Sequence, residues 1–395
     1  MVYHKIMNFE RKQSIEAAKA PKRVLVVYGP RRVGKTTLLQ SYLDAESAKR
    51  RRILSVVGDD FRVRELFGSE VRDDILDFAR PYDIVAIDEA QQVPSIGLGM
   101  KMLVDAFPEK EFILTGSSSF QLSSEIGEPL TGRHFVMTLF PIASNEMEGS
   151  RFDRAGALED LLIYGSYPEV LSAGSGAEKE RILNELVSSY LYRDILALDK
   201  IKSPDLLRDI VRMLAFQVGS EVSQNEIAGA LRTDVKTVGR YLDLLEKMFV
   251  IRRARGFSRN LRNEITKKAK YYFLDNGVRN AVIGQFGPLA MRDDVGRLWE
   301  NFVFMELVKR DALAGVSSSF YFWRTHTRKE VDIVRESRGA LSAYECKWSG
   351  DAKAPKLWKA TYPDADFHVM NRDNIFHELG ALAPREDDAG RKGIE

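Results

Sequence analysis

The chain has 395 residues, 59 basic and 57 acidic, for a formal net charge of +2. That balance excludes reading a polyanionic partner from bulk charge, so only local clusters can point to one. The 44% hydrophobic and 29% charged composition is that of ordinary globular protein with room for about two to four domains. The single cysteine, Cys346, excludes an intrachain disulfide, and five scattered histidines do not make a structural zinc site. No apolar run approaches the ~20 residues that cross a bilayer, and the opening MVYHKIMNFERKQ has no apolar signal region. The expectation is a cytoplasmic protein without a membrane contact.

The first informative stretch is RVLVVYGPRRVGKTTLLQSYL. A β-branched apolar run, Val24–Val27, leads into Gly29, Pro30, Arg31, Arg32, Val33, Gly34, Lys35, Thr36 and Thr37. A helical pattern carrying Leu38, Leu39, Tyr42 and Leu43 follows. Strand, G-x-x-x-x-G-K-T loop and helix in that order make a phosphate-binding loop for ATP. Gly29 and Gly34 let the backbone curl so that its N–H groups face phosphate oxygens. Lys35 can reach the β- and γ-phosphates, and the Thr36 hydroxyl can ligate Mg²⁺.

A strand at Ile53–Val57 comes next, then YDIVAIDEAQ. Ile84–Ile87 reads as a buried parallel strand. Asp88 at its end would hold Mg²⁺ beside the loop, and Glu89 would polarise the attacking water. The stretch EFILTGSS then ends in Thr115, Ser117 and Ser118, where a hydroxyl can sense the γ-phosphate or serve as an ordinary turn former. Arg133 stands just before a fifth strand, in LTGRHFVMTLFPI. It reads either as a finger toward a neighbouring subunit's γ-phosphate, which implies a homo-oligomer, or as a surface arginine.

YGPRRVGKTTLL, IDEAQ, ILTGSSS and LTGRHFVMTLFPI together resemble the AAA_14 ATPases of bacteria and archaea. YGSYPEVL, YLYRDIL, YYFLDNGV and ECKWS resemble the DUF4143 module that follows that domain. The resemblance implies an ATPase of the additional-strand P-loop class, with catalytic roles for Lys35, Glu89, Ser117 and Arg133.

Beyond Arg151 the pattern turns helical. Ile182, Leu186, Tyr190 and Leu191 recur at helical spacing, and Arg193 could sense phosphate or pair with Asp194. In SQNEIAGALRTDVKTVGRYLDLLEKMFVIRRARGF, Ser223 and Glu226 suggest a capping box. Asp234 would cap a second helix whose inner face carries Val235, Val238, Leu242, Leu245 and Phe249, with Lys236, Thr237 and Arg240 outward. Strands Val250–Arg255 and Lys270–Leu274 would bracket a wing. Eight basic residues (Arg252, Arg253, Arg255, Arg259, Arg262, Lys267, Lys268 and Lys270) face one acid there, Glu264. This winged helix would contact DNA phosphates or serve as a packing module.

RLWENFVFMELVKRDAL is expected to form an amphipathic helix with Leu298, Phe302, Met305 and Val308 inward and Glu300 near its start. SFYFWRT, KEVDIVRES and LSAYECKW read as three strands. A helix acid, then Asp332, then Glu345-x-Lys347 is an order that resembles the PD-(D/E)xK nuclease fold. Asp332 and Glu345, with Glu300, would hold a second Mg²⁺ or Mn²⁺, and Lys347 would orient water from the same face. The same residues could instead be retained in a site that binds without cutting.

The expected fold is α/β: a parallel P-loop sheet with helices on both faces, a helical and winged-helix part, and an α/β restriction-endonuclease-like part. The expected divisions are 1–150, 151–204, 205–276, 277–383 and a disordered tail, 384–395. Two functions stay open: a Mg²⁺-dependent ATPase coupled to a DNA-contacting, nuclease-like output, or an ATP-regulated DNA-binding or protein-interaction switch that cuts nothing.

Overall fold

A computed structural model describes residues 9–117, 129–189, 203–258, 268–325 and 329–381. The chain divides into two compact units, one of Glu10–Pro141 with Lys247–Phe249 and the other of the remainder. No helix among the described residues is long and apolar enough to cross a membrane.

The first unit is built on five parallel strands: β1 (Val24–Tyr28), β2 (Ile53–Val57), β3 (Ile84–Asp88), β4 (Glu111–Gly116) and β5 (His134–Thr138). Their order is β2-β3-β4-β1-β5. β1, the Phe112–Leu114 stretch of β4 and the apolar part of β3 are buried apolar runs because both of their faces are covered. Phe67, Met100 and Leu103 pack on one of those faces. With β4 between β1 and β3, the ends of the loop strand and of the Asp88 strand flank Thr115. This is the inserted-strand order expected from the sequence, and it sets the geometry of the site.

The second unit is organised on a seven-stranded mixed sheet, ordered β12-β11-β10-β9-β7-β8-β6. Its strands are β6 (Glu221–Ser223), β7 (Ile251–Gly256), β8 (Lys268–Phe273), β9 (Ser319–Arg324), β10 (Glu330–Ser337), β11 (Ala340–Cys346) and β12 (Asp366–Met370). The helix pair Gln224–Ala230 and Val235–Lys247 precedes the antiparallel β7–β8 pair. β7 also runs parallel to β9, with Arg255 opposite Tyr321 and Gly256 opposite Phe322. Phe257 continues this junction: its N–H donates to the Phe322 carbonyl at 2.7 Å, and its ring packs among Trp323, Val331, Trp358 and Tyr362. Segments 205–276 and 277–383 therefore share one sheet.

Three local expectations are corrected. Ser223 stands at the N-cap of its helix, but its side chain makes no capping bond; the residue also ends β6, which sets its backbone. Val235 is 40% exposed and not part of the inner face, because Asp234 caps the helix through the Thr237 N–H at 2.8 Å and leaves the first turn outward. The Val295–Leu313 helix is buried nearly all round, so it is not simply amphipathic. Its polar residues are paired instead. Asn301 donates to the Phe273 carbonyl at 3.0 Å and accepts from the Phe273 N–H at 2.8 Å. Glu306 accepts from the Ser144 N–H and from Lys309. Such pairing is what makes buried polar groups tolerable.

Tight backbone approach explains one glycine. A Cβ on Gly277 would lie 2.0 Å from the Tyr164 carbonyl oxygen. Gly277→Ala is expected to lower stability by about 1–3 kcal/mol, the range for forced overpacking, read as a lower urea midpoint for the full chain. An unchanged midpoint would contradict the packing.

Candidate functional site

The phosphate loop joins β1 to the Lys35–Ala48 helix. Gly34, at φ 94°, is the N-cap of that helix, a conformation that glycine adopts without steric cost. A Cβ on Gly29 would lie 2.2 Å from the Leu139 carbonyl oxygen, so the loop needs a bare backbone there as well. Lys35 is buried, and its Nζ donates to the carbonyls of Gly29 and Pro30, each at 2.9 Å. Burial pulls its pKa down to about 8, against the opposing charges of Glu89 and Asp88. Thr36 and Thr37 are exposed on the first helical turn, beside the exposed Arg32 and the buried Val33.

Asp88 ties the strand ends together. One carboxylate oxygen accepts from the Thr36 hydroxyl at 2.6 Å. The other accepts from the Thr115 hydroxyl and, at 3.0 Å, from the Glu89 N–H. A hydroxyl and a carboxylate that converge beside a phosphate loop are the hard oxygen donors Mg²⁺ takes, so these residues fit the metal that accompanies ATP. Glu89 itself has φ 51°, an uncommon conformation for a side-chain-bearing residue and one that clusters at functional sites. The Gln91 amide donates to the Glu89 carboxylate and, at 3.2 Å, to the Ser117 hydroxyl. Its carbonyl oxygen is buried and has no partner among the described residues.

Lys35, Thr36, Asp88 and Glu89 are thus brought together, with Ser117 linked to them through Gln91. Gln91 and the locking role of Thr115 escaped sequence reasoning; the one signal was their position beside an acid or a strand end. Arg133 is engaged by Asp105 at 2.8 Å. Ser118 and Arg193 lie outside the described residues.

A second cluster lies in the other unit. The β10–β11 hairpin places Ile333 opposite Tyr344, so Asp332 and Glu345 are sequence neighbours of that pair on adjacent strands. Asp332 is buried and accepts from the Cys346 N–H at 2.8 Å. Glu345 pairs with Lys347 at 2.7 Å. Glu300 does not stand free as a third carboxylate: one of its oxygens accepts from Lys270 Nζ at 2.8 Å and from the Tyr272 hydroxyl at 2.6 Å.

Electrostatics binds these groups into one cluster. Burial raises the Glu300 carboxyl to about 7; Lys270 opposes the shift and Asp332 adds to it. Burial and then Asp332 raise Glu345. Burial works to lower Lys270, but Glu300 and Asp332 outweigh it and keep the ammonium above its ordinary range. Burial, with Asp332, pushes the Cys346 thiol well up, which makes it a poor nucleophile. Among the described residues no group of three His, Cys, Asp or Glu side chains is arranged to hold a metal ion. Lys270 was expected on a basic wing. Its place inside was readable only in KAKYYF, where Lys270 and Tyr272 share a strand face.

Residues 21–148 match the family model AAA_14, described as an AAA domain, and residues 295–377 match DUF4143, a domain of unknown function. Residues 155–288 match a further domain of unknown function, DUF8612. That match takes in YGSYPEVL, YLYRDIL and YYFLDNGV, leaving ECKWS within DUF4143. An uncharacterized protein of Haemophilus influenzae is 28% identical over 332 residues, 79% of each chain. One of Methanocaldococcus jannaschii is 23% identical over 381 residues, covering 91% of this chain and 83% of its own. Among solved structures, a replication initiator DnaA bound to AMPPCP and single-stranded DNA is 18% identical. It covers 58% of this chain and 84% of its own, with a TM-score of 0.32.

Proposed function

We propose that this chain, which joins an AAA_14 domain to a DUF4143 domain, hydrolyses ATP in its first unit and uses the nucleotide state to switch what its second unit contacts. The observation that carries the reading is the Thr36–Asp88–Thr115 chain of hydrogen bonds at the mouth of the phosphate loop.

The loop N–H groups and the N-terminus of the Lys35–Ala48 helix hold the triphosphate. Lys35 exchanges two neutral carbonyls for phosphate oxygens, and its charge is thereby compensated. Thr36 and Asp88 would hold Mg²⁺, which supplies charge neutralisation at the phosphoryl oxygens when bound. Glu89 orients the attacking water and takes its proton. Gln91, itself bonded to Ser117, fixes the Glu89 carboxylate. An Arg133 finger in a neighbouring copy also belongs to this proposal, and it requires the Asp105 pair to open.

Of the two output readings, contact without cleavage is the better supported. Four of the eight basic residues around the β7–β8 pair are spoken for. Lys270 is held by Glu300 at 2.8 Å, Arg253 by Glu246 at 3.3 Å and Lys268 by Glu221 at 3.8 Å. Burial depresses Arg252, which lies over the Phe320 ring. Arg259, Arg262 and Lys267 lie outside the described residues. Arg255 and Lys236 are exposed, and we assign them to DNA phosphates, with the Val235–Lys247 helix as the recognition element of a winged helix.

Lys35→Ala is expected to abolish nucleotide binding. Glu89→Gln should keep binding but slow phosphate release about 10²–10⁴-fold, the usual worth of a general base. Unaltered turnover in Glu89→Gln would overturn the assignment. For the output, Lys236→Ala and Arg255→Ala should each reduce the salt slope of DNA binding by about one unit, while Arg253→Ala should change it far less. Equal effects, or no binding at low salt, would leave the helix pair a packing module.

A further inference from the structure

The acidic cluster of the second unit has the residue order of a metal-dependent nuclease, yet its donors are already committed. Glu300 gives one oxygen to both Lys270 and Tyr272. Asp332 accepts from a backbone N–H of the neighbouring strand. Glu345 is paired with Lys347. A divalent ion needs several oxygens turned toward one point at about 2.0–2.6 Å, and among the described residues no three His, Cys, Asp or Glu side chains are arranged to hold one.

Something else meets the electrostatic need. Carboxylates taken out of water require a compensating charge. Lys270 supplies it from β8: its side chain is 7% exposed and its ammonium is 2.8 Å from Glu300. Asp332 acts on the same ammonium. The Phe322 ring lies 5.7 Å from it, an aromatic wall that favours a cation. β8 belongs to the helix-pair-and-hairpin segment, and the continuous sheet is what brings its lysine to the acids of the nuclease-like segment.

We propose that Lys270 is the resident cation of this site: its ammonium, paired with Glu300 and attracted by the charge of Asp332, takes the role a divalent metal would play. The second unit then binds its partner without metal-dependent strand cleavage. The residues do not fit the metal that the sequence order implies, and no chemical step passes through one. This inference is independent of the nucleotide reading.

The test measures Mn²⁺ binding to the nucleotide-free full chain by electron paramagnetic resonance, in an Asp88→Ala background that removes the first unit's donor. The parent should bind no Mn²⁺ through Asp332, and should not nick duplex DNA in Mn²⁺. Lys270→Met, with an unchanged circular dichroism spectrum, should acquire a Mn²⁺ site that a further Asp332→Asn removes. Three outcomes would overturn the proposal: Mn²⁺ binding by the parent that Asp332→Asn abolishes, Asp332-dependent nicking by the parent, or a folded Lys270→Met chain that gains no Mn²⁺ site. Should Lys270→Met not fold, the two parent measurements still decide.

Discussion

Asp88 ends β3 at the point where the loop strand and β4 also end, and its two carboxylate oxygens reach both neighbours. Thr36 on the loop helix takes one side and Thr115 on β4 the other. A charged acceptor with two hydroxyl donors is a strong, directional tie. It depends on β4 pairing with β3 on one side and β1 on the other, which puts Thr115 beside Asp88 at the end of the loop strand. The αL backbone of Glu89 and the Gln91 bridge to Ser117 lie directly beside this tie. The arrangement of these groups thus rests on one strand insertion.

The second unit solves a different problem. It buries many ionisable groups and pairs several of them: Arg279 and Arg292 with Asp294, Lys309 with Glu306, Arg335 with Asp311, Lys270 with Glu300. Breaking such a pair by removing one partner costs far more than the pair itself contributes. The matching crosses segment boundaries because the sheet does. The two-residue parallel contact of β7 with β9 lets a lysine from the β7–β8 hairpin sit among acids of the following segment.

Motif-bearing features were readable from sequence where chemistry and local structure coincide. The Gly29–Thr36 loop, the β3 strand ending in Asp88, the β10–β11 hairpin and the Asp234 cap all announce themselves within a few residues. What escaped was non-local. The β7–β9 junction, the parallel strand β12 and the partner of Lys270 have no signature in their own neighbourhoods. A charge count around the wing treated basic residues as free, whereas Arg253 and Lys268 meet acids from other elements. The Val295–Leu313 helix misled for the same reason, since its polar positions are buried against partners far away in the chain.

The central claim is that the Thr115 hydroxyl holds Asp88 in the geometry that makes a metal–nucleotide site. Thr115→Val keeps shape and burial and removes only that hydroxyl. The decisive measurement is Mg²⁺-dependent ATP binding to this variant by calorimetry. The account predicts about a 10–100-fold higher Mg²⁺ requirement, the usual cost of losing a group that orients a metal ligand. An Mg²⁺ requirement equal to that of the parent would contradict it.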